Sequence, residues 1–475
     1  MKLYSLLKDI KCRVLGNQNL NINGLYQMDT EVRENGLFFC LRGIRVDGSK
    51  FIESAVKNGA VAIVSEQEID GLSNVTQIIV KNARETMSLI ACKFYGNPAD
   101  KLKIIGVTGT NGKTTITTLL SNMLSNFNKK SAVIGTNGIF IGNEKYDSNL
   151  TTPDPINLQK FLQLMVRKNV EYVCMEASAH AIELCKIDGI RFRQIIFTNL
   201  TADHLDYFKT MDRYFLAKSK LFSKKYSNLA IINVDDLYGK MLCDSIKINY
   251  LTYAINSKIS DFTATDISFN FEGQEFKVND EKAKIKLLGK FNVYNILAVV
   301  ASLNDLGFND CQIIEHLKNI KPIEGRFNTF NIDDKIIVID YAHTPDGLSN
   351  ILSSCREIAN GGKLISVFGC GGDRDNSKRK IMGEISSKLA DFTFLTTDNP
   401  RFEDKHKIIS DIKNGMINNN YKIVLDRSKA IFEAINYAKA GDVIVIAGKG
   451  AEKFIDENGV KIPYSDMLEI EKYRR

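Results

Sequence analysis

Ile104-Ile105-Gly106-Val107-Thr108-Gly109-Thr110-Asn111-Gly112-Lys113-Thr114-Thr115 opens as a short apolar run, turns through glycines and continues into residues of helical character. Strand, glycine-rich turn and helix in that order make a phosphate-binding loop. Glycine lets the backbone curl around an anion and aim its N–H groups inward, and the positive end of the following helix adds to the field. On this reading Gly109, Thr110, Asn111, Gly112 and Thr115 cradle phosphate. Lys113 reaches the terminal phosphates and the Thr114 hydroxyl ligates Mg²⁺. The spacing departs from the usual G-x-x-x-x-G-K, because Val107 stands where the first glycine is expected. A chance Gly-Lys-Thr is the competing reading, and the strand-turn-helix context speaks against it.

At 475 residues the chain is too long for one ordinary core, and two to four domains are expected. Its 44% hydrophobic and 25% charged fractions fit a soluble globular protein. No apolar run is long enough for a transmembrane helix, so no membrane insertion is expected. Met1 to Lys11 lacks the apolar core of a signal peptide. The net charge of +7 is mild and the lysines are spread along the chain, which argues against nucleic acid as a partner. Nine cysteines form no C-x-x-C pair and read as small hydrophobes of a reducing, cytoplasmic compartment.

In the first hundred residues Gly36–Gly43, Gly59–Val64 and Val75–Val80 read as strands, and Phe51–Val56 and residues 84–95 as helices. That alternation predicts a small α/β domain. Gly96-Asn97-Pro98-Ala99 reads as a linker, since Pro98 blocks continuation of the helix. Beyond the phosphate loop, Val133–Thr136, Tyr172–Met175, Gln194–Thr198 and Leu229–Asn233 are apolar strands between helical segments, as in a mostly parallel sheet. Residues 260–288 alternate and carry turn residues, which predicts an antiparallel extension; Asn292–Leu303 reads as a helix. Past Gly325, the strands Ile336–Asp340, Lys363–Gly369, Asp391–Thr396 and Asp442–Gly448 predict a Rossmann-like domain.

Polar residues gather where these strands end, which is where such sheets bind ligands. Glu176, after Met175, could hold Mg²⁺ together with Thr114. His204, in Thr201-Ala202-Asp203-His204-Leu205-Asp206, has two readings: a ligand to a second ion, or a satisfied histidine with no such role. Asp340, in Asp340-Tyr341-Ala342-His343, could hold a ribose hydroxyl or a metal-bound water. His343 could neutralise phosphate charge or cap local structure. Gly369–Asp375 and Asp398-Asn399-Pro400-Arg401 place Arg374 and Arg401 in strand-end loops. There a guanidinium fork suits a carboxylate or phosphate, and a solvated surface charge is the alternative. The residues alone reach an ATP-dependent enzyme that acts by positioning and electrostatics, since no compact catalytic dyad is present. They do not reveal the acceptor.

Together the segments DTEVRENGLFFCLRG, GVTGTNGKTT, TTPDP, MEASAHA, TNLTADHLDYF, YFLAKSKLF, LLGKFNVYN, EGRF, DYAHTPD, FGCGGDRD, TTDNPR and AGKGAEKF resemble the ATP-dependent Mur ligases of peptidoglycan synthesis, along almost the whole chain. The resemblance is to the branch that adds the third residue of the stem peptide. It implies an α/β protein of three domains: a UDP-sugar domain over 1–97, a central P-loop ATPase domain over 98–325, and an amino-acid-binding Rossmann-like domain over 326–475. The implied reaction uses ATP and Mg²⁺. ATP phosphorylates the carboxylate of UDP-N-acetylmuramoyl-L-alanyl-D-glutamate to an acyl phosphate. The amine of meso-2,6-diaminopimelate attacks it, and ADP and phosphate leave. A monomer is expected.

Residue by residue, the resemblance gives Lys113 and Thr114 to phosphate and the first Mg²⁺, shared with Glu176, and His204 to the second Mg²⁺. Lys218 falls where the family has a carbamylated lysine, which turns a cation that would repel Mg²⁺ into an oxygen ligand. Asn292 and Asn295 resemble the adenine-side residues, Arg326 a nucleotide-contacting arginine, Asp340 the ribose ligand, and His343 a neighbour of the phosphates. Asp29, Thr30, Thr151, Thr152 and Ser178 resemble the UDP-sugar contacts. Lys186 stands near the acyl-phosphate site where relatives usually carry arginine. Arg374, Asp398, Asn399, Arg401, Gly448 and Glu452 resemble the amino-acid contacts, with Arg401 on the distal carboxylate and Glu452 on the distal ammonium. Ala451 replaces the family's histidine in Gly-Lys-Gly-His-Glu. The alternatives are the same ligation with L-lysine, a related ligase on a folate-like acceptor, and a non-catalytic ATP-binding scaffold.

Overall fold

A computed structural model describes residues 1–43, 47–72, 74–148, 150–270 and 273–473. The chain divides into two compact units. One comprises Met1–Thr108, Asn128–Ile195 and Ala217–Leu229; the other comprises Gly109–Phe127, Ile196–Leu216 and Ala230–Arg475.

In the first unit the expected N-terminal α/β region is a five-stranded sheet in the order Cys12–Leu15, Thr76–Val80, Ala60–Ser65, Gly36–Phe39, Gly24–Tyr26. Only Cys12–Leu15 runs antiparallel to its neighbour. Alternate side chains serve opposite faces: Leu37 and Phe39 pack with Leu3, Leu6 and Ile90, while Phe38 packs with Val32, Ile52 and Ile63. Cys12–Leu15 and Gly24–Tyr26 were not anticipated, because they are short and only partly buried. The expected linker contains the 3₁₀ turn Pro98–Lys101, for which proline presets the backbone. The same unit holds the parallel strands Lys103–Thr108, Tyr172–Glu176 and Ser131–Gly135, extended by the antiparallel pair Gly138–Ile141 and Glu144–Tyr146.

In the second unit, Phe262–Asn270, Gly273–Val278 and Glu281–Ile285 form the expected antiparallel extension; residues 271 and 272 of that stretch lie outside the described residues. The expected helix at Asn292 runs over Lys290–Asp305. The Rossmann-like part is a six-stranded sheet in the order Asn328–Ile332, Lys335–Asp340, Val443–Ala447, Leu364–Phe368, Phe392–Leu395, Tyr421–Ile423. All its pairings are parallel except the outermost, Asn328–Ile332 with Lys335–Asp340. Its central strands Lys335–Asp340, Val443–Ala447 and Leu364–Phe368 are largely apolar on both faces, as a sheet covered on both sides requires. Val338 and Val445 pack with the helix Pro345–Ala359; Ile337, Ile339, Ile444 and Ile446 pack with the helix Arg427–Tyr437. The parallel strands therefore deliver Asp340, Gly369, Thr396 and Gly448 to one end, where the loops of interest begin. Among the described residues, no helix is long and apolar enough to cross a membrane.

Candidate active site

The phosphate loop leads into the helix Lys113–Asn126 in the second unit. Gly109 has φ +149°, and a Cβ there would sit 1.8 Å from Thr198 Oγ1; Gly112 has φ +87°, with Asn295 Oδ1 2.7 Å from its ideal Cβ. Neither position tolerates a side chain, which is the physical content of the glycine pattern. The turn is pinned by Thr198 and Asn199. Thr198 Oγ1 donates to the Asn111 carbonyl at 2.6 Å, and Asn199 Oδ1 accepts the Asn111 N–H at 2.9 Å. Thr110 N–H donates to the Asn199 carbonyl, and Thr110 Oγ1 accepts the Thr201 N–H at 3.0 Å. Lys113 Nζ folds over the loop and donates to the carbonyls of Gly109 (2.9 Å) and Thr110 (2.7 Å). Thr114 and Thr115 are buried in the first turn of the helix.

Other elements of the same unit reach this loop. Arg326 Nη2 donates to Thr114 Oγ1 at 3.1 Å, and its guanidinium lies over the Tyr341 ring, 4.5 Å from the centroid. Asn111 Nδ2 donates to Asp346 Oδ2 at 2.7 Å. The Asp340 carboxylate is buried and accepts the N–H groups of Phe327 (2.9 Å) and Ala342 (2.7 Å), so it fixes the turn that carries Arg326. Asn292 and Asn295 are also buried: Asn292 Nδ2 donates to the Leu288 carbonyl, and Asn295 Nδ2 to Asn292 Oδ1.

A four-membered charge cluster lies beside them. His204, in a left-handed conformation at φ +57°, has its Nε2 3.4 Å from Asp203 Oδ2; Lys378 Nζ lies 3.9 Å from Asp203 Oδ1. Burial opposes the charge on Asp203, but His204, His343 and Lys378 outweigh it and hold the carboxyl at about 2. His343 is pushed down to about 4 by burial and by the like charge of Lys378, while its Nδ1 meets the Tyr341 carbonyl at 2.9 Å. It is therefore neutral at pH 7, with Nδ1–H as donor.

In the first unit Glu176 ends its strand fully buried. Its Oε1 accepts the Thr136 N–H at 2.9 Å and its Oε2 the Thr136 hydroxyl at 3.1 Å. The Thr136 hydroxyl lies 3.1 Å from that of Thr151. Thr152 Oγ1 donates to the Glu176 carbonyl and accepts the Ser178 N–H, and Ser178 caps the helix Ala179–Glu183. Lys186 Nζ pairs with Asp154 Oδ1 at 2.7 Å, and Gln27 donates to the other oxygen of Asp154 at 3.1 Å. Asp29 and Thr30 sit in the 3₁₀ turn Asp29–Glu31, with Thr30 exposed. Lys218, in the helix Met211–Ser219, has only 1% of its surface exposed.

The third group is built on the strand ends of the Rossmann-like sheet. Lys449 is completely buried, and its Nζ donates to Asn399 Oδ1 (2.9 Å), the Phe454 carbonyl (2.9 Å) and Glu452 Oε2 (3.2 Å). It also faces Asp398 Oδ1 at 3.2 Å. Asn399 Nδ2 donates to the same oxygen of Glu452 at 2.9 Å. Burial would raise the Asp398 carboxyl, but Lys449 and Arg427 hold it below the usual range. Arg427 is itself paired with both oxygens of Asp466, at 2.8 Å each. Arg401 has φ +52° and donates from Nη1 to the Gly372 carbonyl at 2.7 Å. The loops bearing Gly372 and Arg401 are clamped by Arg379, fully buried, which makes a two-pronged pair with Glu403 and donates to the Gly371 carbonyl. Arg374 is exposed on its loop.

The structure thus joins Asp398, Asn399, Gly448 and Glu452 in one cluster, joins Arg326 to Thr114, and joins Thr151, Thr152, Ser178 and Glu176. Sequence reasoning assigned nothing to Lys378, Lys449, Asp203 or Arg379. Lys449, between two glycines at a strand end, had a local signal. Arg379 had none, since it lies on a helix of mostly polar residues.

Comparison with known proteins bears on all three groups. Residues 107–303 match the Mur ligase middle domain, 325–450 the domain described as "Mur ligase, glutamate ligase domain", and 28–95 the "Mur ligase family, catalytic domain". The UDP-N-acetylmuramoyl-L-alanyl-D-glutamate–2,6-diaminopimelate ligase 1 of Clostridium acetobutylicum is 43% identical over 462 residues, 96% of this chain and 95% of that protein. The corresponding ligase of Alkaliphilus oremlandii is 42% identical, covering 99% of this chain and 98% of that protein. A solved structure of such a ligase is 30% identical with a TM-score of 0.71, covering 99% and 98% of the two chains. The MurF ligase of Thermotoga maritima in complex with ADP shares the fold, at 20% identity and a TM-score of 0.63 over 92% of this chain and 96% of that one.

Proposed function

This chain belongs to the Mur ligase family, and we propose that it joins meso-2,6-diaminopimelate to UDP-N-acetylmuramoyl-L-alanyl-D-glutamate with conversion of ATP to ADP and phosphate. The observation that carries the choice of amine is Arg401. Its guanidinium is anchored on the Gly372 carbonyl, at the strand ends that also bear Asn399 and Glu452. A distal carboxylate suits that fork; lysine would bring an ammonium instead, and its charge would be repelled.

The chemistry follows from what a carboxylate lacks. Its oxygen is a poor leaving group until phosphorylated, and two anions approach only if the phosphate charge is offset. The N–H groups of Gly109–Lys113, the Lys113 ammonium and the Arg326 guanidinium supply that offset from the second unit. Phosphorylation converts the glutamate carboxylate to an acyl phosphate. The amine attacks its carbonyl carbon, the C–N bond forms, and phosphate leaves with the C–O bond electrons.

Mg²⁺ takes oxygen ligands and keeps several waters, so it needs few protein donors. We assign Thr114, and by the family resemblance Glu176, as its candidate oxygen donors. Among the described residues no group of three or more His, Cys, Asp or Glu forms a closed cage. Held there, the ion would supply neutralisation of phosphate charge. We assign His204 to a second ion. By the same resemblance Lys218 is assigned as a carbamate, since N-carboxylation would turn its ammonium into an anionic oxygen donor. Lys186, Thr151, Thr152 and Ser178 are assigned to the UDP-sugar peptide with Asp29 and Thr30, and Asn292, Asn295, Asp340 and His343 to the nucleotide. The three-domain division at 97 and 325 goes with this reading.

Phosphate release with ATP, Mg²⁺ and the UDP-muramoyl-dipeptide tests it, with meso-diaminopimelate and L-lysine as competing amines. Preferential use of diaminopimelate is expected. Equal use of lysine would end the substrate assignment, and no phosphate release with either amine would end the ligase assignment.

A further inference from the structure

One residue outside every role given above touches both side chains on which the choice of amine rests. Asp456 lies in the hairpin formed by Phe454–Glu457 and Val460–Pro463. Its backbone N–H donates to Asn399 Oδ1 at 2.9 Å, and its carbonyl accepts the Arg401 N–H at 2.9 Å. Its carboxylate Oδ2 faces Arg401 Nε at 3.9 Å. The Arg401 carbonyl in turn accepts the Asn458 N–H at 2.7 Å, so Arg401 is stitched to the hairpin on both sides. Lys405 pairs with Glu457 at 3.3 Å beside it.

The pairing explains how Arg401 keeps a left-handed backbone conformation, φ +52°, that a long side chain rarely adopts unless its surroundings impose it. The guanidinium is oriented from two directions: Nη1 donates to the Gly372 carbonyl at 2.7 Å, and Nε faces the Asp456 carboxylate as a charge contact at 3.9 Å, beyond hydrogen-bond reach. A guanidinium is planar, so fixing those two nitrogens fixes the third. The Nη2 edge is then the one presented to a ligand. Asp456 Oδ1 is shielded from solvent and accepts no hydrogen bond among the described residues. An unsatisfied buried acceptor is not what fold stability alone selects. As an ordinary surface ion pair, with both side chains about a quarter exposed, the contact would stabilise little. Its consequence lies in orientation.

We propose that Asp456 is a positioning residue for amino-acid selection, acting through Arg401: its carboxylate sets the plane of the guanidinium so that the Nη2 edge meets the distal carboxylate of the incoming diamino diacid. This rests on the substrate reading above. It predicts that the acid matters only while Arg401 is present.

A double-mutant cycle on the full-length enzyme tests it. Asp456→Asn should raise KM for meso-diaminopimelate about tenfold, with kcat and KM for ATP changed less than about twofold. In an Arg401→Ala background the same change should alter KM for diaminopimelate no further. Asp456→Glu should restore part of the loss. A KM within about twofold of wild type for Asp456→Asn would overturn the proposal, as would an equal rise in both backgrounds or a parallel rise in KM for ATP. The wild-type control separates this failure from that of the substrate reading: if wild type joins lysine as readily as diaminopimelate, the substrate reading falls first and takes this role with it.

Discussion

The phosphate loop and the loop around residues 398–401, the proposed amino-acid clamp, both carry cationic side chains, but they are built from opposite materials. Around residues 109–114 the supports are mostly backbone groups and neutral side chains: Thr198, Asn199, Thr110 and the carbonyls of the loop itself, with Asp346 and Arg326 as charged contacts at its edge. Around residues 398–401 the supports are buried charges: Lys449 with Asp398 and Glu452, Arg427 with Asp466, and Arg379 with Glu403 and Asp411. A loop held by neutral groups can lose its one lysine and keep its shape. A clamp held by buried ion pairs cannot lose one partner without stranding the other. Function and stability should therefore separate at the first region and fuse at the second.

The largest effect is expected at the first. Lys113→Ala should lower phosphate release by about a thousandfold or more, since the variant loses the ammonium that offsets phosphate charge. Its thermal midpoint should stay within about 2 °C of wild type, because Lys113 Nζ caps carbonyls of its own loop. A large drop in melting temperature alongside the lost activity would break the contrast, by showing that the lysine holds the loop as well as the phosphate.

At the second region Asp466→Asn should destabilise the protein by about 3–5 kcal/mol in urea unfolding, because Arg427 is left buried with an uncompensated charge. Replacing the pair together, Arg427→Met with Asp466→Leu, should recover much of that loss. Tyr464 also donates to Asp466 at 2.9 Å, so recovery will stop short of the wild type. A single substitution with no effect on the urea midpoint would place this network among decorative ion pairs and remove the basis of the comparison.

The same difference explains what was legible in the sequence. Gly109 and Gly112 act through conformations that only glycine adopts freely, and they stand in one continuous stretch, so the loop could be read locally. The parallel strands could be read for a similar reason: Ile336–Ile339 and Val443–Ala447 are unbroken apolar runs, as burial on both faces demands. Arg401 could be read from its strand-end loop, whereas the amino-acid roles of Asp398, Asn399 and Arg401 came through a resemblance and remain a proposal. Their supports were not found at all, because each is set by a distant partner. Arg427 meets Asp466 thirty-nine residues on, and Arg379 meets Glu403 across two loops. No spacing rule connects such pairs. The short strands Cys12–Leu15 and Gly24–Tyr26 escaped for a different reason, since three or four half-buried residues carry too little periodicity to stand out.

The smallest effect concerns acid, and it sharpens the contrast. His343, beside the phosphate loop, is held down to about 4 by burial and by Lys378. Its folded value lies below the ordinary 6.5, so between those limits the unfolded chain binds more protons than the folded one. Stability from this group is complete above about pH 6.5 and is lost as pH falls toward 4, by at most about 3.5 kcal/mol. The clamp has no such sensitivity in that window: Asp398 is held below its usual value and Arg427 above its own, so both stay charged. His343→Asn should therefore flatten the fall in urea midpoint between pH 7.5 and pH 5, while Asp466→Asn should lower the midpoint by the same amount at both pH values. If His343→Asn leaves the slope unchanged, the acid-sensitive group lies elsewhere. If Asp466→Asn alters the slope, the clamp is not the permanently charged structure that its buried pairs describe.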